Sequence, residues 1–257
     1  MSSYELSDKI EMYLNSVIEI KNSIDEITGG RFIANHKRTL LFSVIDLLAR
    51  GVYGEKFIRD RTTMFKRFIS NFCEWEYGER ISVQQLSHLL SKTNEKAFTR
   101  LKNFVKVELD KFPSSEPVPL IYDATHKQLI KLMPKNQTSI LGVELTSLNH
   151  ISLLWELRNT LVHEARSKGA LQLFDYEYEP HYIHYSTIGV SDSGNLVDES
   201  EEWRLYHPVE FLQTLIDLSI PKVRDYLRIN LIDPYENHNF DPLWQTVKKD
   251  KLHKIID

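Results

Sequence analysis

Apolar residues recur at three-and-four spacing through the first part of the chain. Leu6, Ile10, Tyr13, Leu14, Val17, Ile20, Ile24 and Ile27 form one stripe of a helix predicted over 4–27, and Gly29-Gly30 stops it. A second helix over 33–50 is apolar almost all round at LLFSVIDLLA, which predicts a central, buried element. A third is expected over 56–77, where Phe alternates with Arg and Lys. Ser82-Val-Gln-Gln85 has the capping-box pattern and opens a short helix to about Ser91. Another runs from about Asn94 to Asp110 and ends at Phe112-Pro113. The stretch 113–119 reads as a loop within one domain. Residues 146–168 give the next clear helix.

The period then changes. LQLFDYEYE, HYIHYSTI and EEWRLYH alternate and are aromatic-rich, with turn residues at Glu179-Pro180 and Ser191–Asn195 between them. They predict three short strands in an antiparallel meander. His207-Pro208 opens a last long helix to about Arg228, with a kink expected at Pro221. The fold expected is therefore mainly α: a helical bundle with a small antiparallel β-meander inserted near 170–206. One domain is expected over 1–257, with a helical core at about 4–168 and 207–228 and a C-terminal tail at 230–257.

Composition narrows the function classes little. The 257 residues are 42% hydrophobic and 26% charged, as in an ordinary globular protein. One cysteine, Cys73, excludes a disulfide framework and a cysteine-based zinc cluster. No apolar run approaches the roughly 20 residues of a membrane helix, and MSSYELSDKIEMYL lacks a signal-peptide core, so a cytoplasmic location is expected. The formal charge of −4 hides an asymmetry: residues 31–111 carry a net +7 and residues 170–257 a net −8. The basic half offers a surface to nucleic-acid phosphate.

Within the helix 146–168 lies Arg158-Asn159-Thr160-Leu161-Val162-His163. Spacing alone says little, because R-x4-H is expected roughly 0.5 times by chance in such a chain. Arg31 and His36 indeed repeat it. Requiring Asn directly after Arg lowers the chance expectation to roughly 0.03, and only Arg158 meets it. This segment resembles the signature of HEPN-domain proteins, an R-x4-6-H span with a polar residue after the Arg, on a late helix of an all-α bundle. The motif covers six residues; the helical context extends the resemblance over about 33–168 and 207–228. It implies a metal-independent endoribonuclease without cofactor, of a toxin or antiviral defence kind. It also implies RNA as substrate, a homodimer with the site at its interface, and a protein antitoxin as partner. One position departs: some HEPN toxins carry Tyr two residues after the His, and Ala165 stands there, which puts a nucleotidyltransferase antitoxin in doubt.

On a helical wheel Arg158 and His163 point about 140° apart. Arg158 falls on the apolar stripe Ile151, Trp155, Arg158, Val162, Ala165, and His163 on the polar stripe Ser152, Glu156, Asn159, His163. A buried arginine needs a carboxylate, and Asp46, the lone charge within Leu40–Ala49, is the expected partner. For catalysis, His163 suits proton transfer, with an unperturbed pKa near 6.5, and Arg158 suits the scissile phosphate through its planar fork. Asn159 would orient the imidazole or donate to phosphate, and Asp46 and Glu156 would support the pair. The alternatives are a structural Arg158–Asp46 ion pair beside a surface histidine, in a non-catalytic oligomerisation or adaptor module, and a nucleic-acid-binding regulator that uses only the basic half.

Arg59, Arg61, Lys66, Arg67 and Arg100 are candidate RNA-backbone contacts, set among Phe57, Phe65, Phe68 and Phe104. A solvated basic face over buried phenylalanines explains the same pattern. His181 and His184 sit three apart on a strand and so face opposite ways, which argues against a metal site. No Walker-type GxxxxGK, GxGxxG or GxSxG is present.

Overall fold

The structure, a computed structural model, describes residues 5–57, 59–113, 117–169, 178–190 and 196–238. Eight α-helices are found among the described residues: α1 (Leu6–Asp25), α2 (Ile33–Tyr53), α3 (Arg61–Phe72), α4 (Val83–Ser91), α5 (Thr99–Leu109), α6 (His126–Ile130), α7 (His150–Glu164) and α8 (Val209–Ile229). The protein is mainly helical, as the periodicity predicts. Several helices are shorter than their patterns. The segment expected as one helix over 56–77 begins only at Arg61, because Asp60 caps it by accepting from the Thr63 amide. A tight 3-10 turn over Gly54–Phe57 precedes it. The helix expected from Asn94 likewise opens as a 3-10 turn at Lys96–Phe98. Ser82 does cap α4 through the Gln85 amide, but Gln85 turns its own amide to Gln84, so the reciprocal bond of a capping box is missing. Pro221 lies inside α8 without ending it.

Of the three strands expected in the meander, the described residues hold the last two. Strands β4 (His181–Val190) and β5 (Leu196–Tyr206) form a long antiparallel hairpin, with His181 opposite Tyr206 and Tyr182 opposite Leu205. The third member of their sheet is β1 (Val118–Pro119), from the stretch expected to be a loop, pairing with β4 in the order β1-β4-β5. Two residues are too few for alternation to register. Most of LQLFDYEYE lies outside the described residues, as does the tail beyond 238. A second small hairpin joins β2 (Ser139–Ile140) to β3 (Val143–Glu144). Leu141 and Gly142 between them both take positive φ, as a two-residue hairpin turn of the primed type requires.

Among the described residues two large apolar cores result, with a small third cluster of Ile183 and Tyr206. The larger gathers α1, α2, α3, α7 and α8 around Leu14, Phe42, Ile45, Phe65, Leu154 and Ile216. The second packs α4 and α5 on the sheet through Leu86, Phe98, Leu101 and Tyr182. Trp75 touches both, and α7 faces the first core with Leu154 while Leu153 leans on the second. Among the described residues no helix is long and apolar enough to cross a membrane.

Candidate functional site

Helix α7 starts on Asn149, whose side chain accepts from the Ser152 amide, and ends on Ala165 in the left-handed conformation. Arg158, Asn159 and His163 therefore occupy its second half, against α2. Helix α2 turns Leu41, Phe42, Ile45 and Leu48 into the core and leaves Asp46 half-buried at its margin. There Asp46 meets Arg158: Oδ2 accepts from Nη2 at 2.6 Å and from Nε at 3.2 Å. The Arg158 guanidinium also lies 5.1 Å over the Trp155 ring. Arg158 is 7% exposed, so carboxylate and indole together compensate a nearly buried cation.

The remaining nitrogen, Nη1, faces the other two motif residues. It donates to Asn159 Oδ1 at 3.2 Å and lies 3.3 Å from His163 Nε2. A guanidinium has no acceptor, so in this contact Nε2 accepts and the imidazole carries its proton on Nδ1. The wheel put Arg158 and His163 on different faces. Their Cβ directions do diverge, but the long arginine side chain spans the gap. His163 is exposed, and so is Val162, which the wheel placed on the apolar stripe. The arrangement presents a fixed guanidinium and an open imidazole side by side. Such a pair has the donors to hold an anionic oxygen and a base able to exchange a proton beside it.

Other sequence candidates are placed elsewhere. Glu156 pairs with Lys168 at 3.1 Å and not with Arg158 or His163. Lys66 donates to Ser152 Oγ at 2.9 Å, and Arg67 lies 5.2 Å over the Phe57 ring. Arg59, Arg61 and Arg100 are exposed. His181 is buried, whereas the half-buried His184 sets its ring 4.7 Å from that of Trp203. Among the described residues no group of three or more His, Cys, Asp and Glu could hold a metal ion. Cys73 is buried, and burial pushes its thiol well above the ordinary value, as befits a core residue.

Sequence reasoning missed a buried polar network between the two cores. Asp123 Oδ1 accepts from the Val83 amide at 2.8 Å. Its Oδ2 accepts from Tyr182 Oη at 2.7 Å and lies 2.6 Å from His150 Nε2. Tyr182 Oη is also 2.8 Å from Ser82 Oγ. Asp, His and Ser side chains meet here, but His150, Ser82 and Tyr182 are wholly buried, so the cluster serves the fold. No family model, curated protein or solved structure matches the chain.

Proposed function

We propose that the protein is a metal-independent endoribonuclease of the HEPN type, acting in the cytoplasm in a toxin or antiviral defence role. The observation that carries this reading is the single Arg158 guanidinium, anchored on Asp46 and turned to Asn159 and an exposed His163. A scissile phosphate oxygen takes Nη1 from His163, which frees the Nε2 lone pair for the ribose 2′-OH proton. The 2′-oxygen then bonds to phosphorus as the bond to the 5′-oxygen breaks, and the departing oxygen takes a proton. One imidazole serves one proton transfer at a time, so a homodimer with two facing motifs supplies base and acid together. The helical bundle is then HEPN-like, and a protein antitoxin is a fitting partner.

Incubating the protein with single-stranded RNA in EDTA tests this reading. The expected products carry 2′,3′-cyclic phosphate and 5′-hydroxyl ends. Cleavage that EDTA abolishes, or products with 3′-hydroxyl and 5′-phosphate ends, would overturn it.

A further inference from the structure

A second feature adjoins the motif. A pocket of about 240 Å³ opens between α2 and the start of α3, with Ser43, Asp46, Arg50, Phe57 and Arg61 in its wall. Asp46 belongs to both places: Oδ2 holds Arg158, and the same side chain borders the pocket. The pocket thus lies one side chain away from the guanidinium that faces His163.

Its charge balance favours an anion. Arg50 spends Nε on the carbonyl of Asn237 at 3.2 Å, and neither Arg50 nor Arg61 has a carboxylate partner among the described residues. The carboxylate in the wall, Asp46, is already compensated by Arg158. Two guanidinium groups at one concavity, without a carboxylate partner among the described residues, suit a phosphate, which their planar forks can grip in pairs. Leu47, Phe57 and Met64 supply an apolar wall beside them. The volume falls below the roughly 300–1,000 Å³ of pockets for drug-sized ligands, so it accommodates one sugar–phosphate unit.

We infer that this pocket holds the phosphate of a nucleotide next to the scissile one, with Arg50 and Arg61 gripping it and the apolar wall against its ribose. The inference rests on the ribonuclease reading for its substrate class. It singles out Arg61 from Arg59 and Arg100, because Arg61 shares a pocket with a residue of the site.

The test measures binding, which needs no turnover. A fluorescent single-stranded oligoribonucleotide with 2′-O-methyl groups is titrated by anisotropy over a range of salt. Arg50→Gln and Arg61→Gln are each expected to raise Kd about five- to tenfold at low salt and to flatten the log Kd against log salt slope by about 0.7. Lys127→Gln on α6, which removes the same charge beside the second core, is expected to change neither. Arg61 is exposed, so Arg61→Gln keeps the test decisive if Arg50→Gln fails to fold. Wild-type Kd and slope in Arg61→Gln, or no binding by the unmodified protein, would overturn the inference. Weakened binding by the variants with no RNA cleavage by the parent would keep the pocket and remove the nuclease reading. Cleavage by the parent with unchanged Kd and KM in both variants would do the reverse.

Discussion

Arg158 sets two of its three guanidinium nitrogens on one oxygen of Asp46, at 2.6 and 3.2 Å, and turns the third toward His163. A lysine has one nitrogen and cannot make both engagements. Arg158→Lys is therefore expected to lower single-turnover RNA cleavage about a hundredfold or more, although the charge is kept. Asp46→Asn keeps an acceptor but no charge, and about a tenfold loss is expected in kcat with little change in KM. Asp46→Ala is expected to cost about 1–3 kcal/mol in urea unfolding, since it strands a nearly buried guanidinium. Full cleavage by Arg158→Lys would show that the fork has no chemical role.

Tyr182 is expected to matter for stability and not for chemistry. Its hydroxyl bridges Ser82 and Asp123 between the two cores. Burial and the carboxylate beside it push the phenol well above its ordinary value, so it remains a donor. Tyr182→Phe should lower unfolding free energy by about 1–3 kcal/mol, read from the urea midpoint at unchanged m-value. The per-molecule cleavage rate of the folded variant should match that of the parent.

His207 predicts an acid-sensitive fold. It is buried at the entry to α8, and burial first, then its neighbours His150, Arg38 and His181, hold its imidazole well below the ordinary value. The folded chain refuses a proton that the unfolded chain accepts near pH 6.5. Below that pH the unfolded state binds more protons, so stability falls as pH drops, by about 1.4 kcal/mol per pH unit, until the folded value is reached. Above about pH 7 His207 contributes no slope. His207→Gln should remove one proton's worth of slope between pH 6.5 and 5 in urea titrations. An acid limb as steep as the parent's would contradict the assignment.

Gly51 stands inside α2, where alanine is intrinsically better by about 1 kcal/mol. Yet a Cβ there would run into the Tyr13 ring and hydroxyl, which donates to the carbonyl of Leu47 at 2.8 Å. Tyr13 is buried and cannot swing out freely. Gly51→Ala is accordingly expected to destabilise by about 1–3 kcal/mol despite its helix propensity, measured by thermal or urea unfolding. A stabilised variant would show that the α1–α2 contact yields easily.

The helices are legible in sequence because their apolar stripes are long, and Ser82 marks the start of α4, whereas the caps at Asp60 and Asn149 set later starts than the stripes suggest. The Arg158–Asp46 pair is legible as well, since Asp46 is the lone charge in an apolar run. Contact between Arg158 and His163 is not, because a helical wheel records Cβ directions and ignores side-chain reach. Glu156 shares a stripe with His163 but is drawn to Lys168 beyond the helix end, a residue no wheel includes. Strand β1 is too short to show a period. The Asp123–His150–Tyr182 cluster joins residues remote in sequence, which only tertiary packing brings together. The pocket beside Asp46 is hidden for the same reason.

The most direct measurement compares single-turnover cleavage of single-stranded RNA, in EDTA, by the parent, His163→Ala and Arg158→Ala. Cyclic-phosphate products are expected from the parent, with a loss of at least about a hundredfold in each variant and the fold of His163→Ala intact. Parental cleavage by a folded His163→Ala, or none by the parent under any ionic condition, would contradict it.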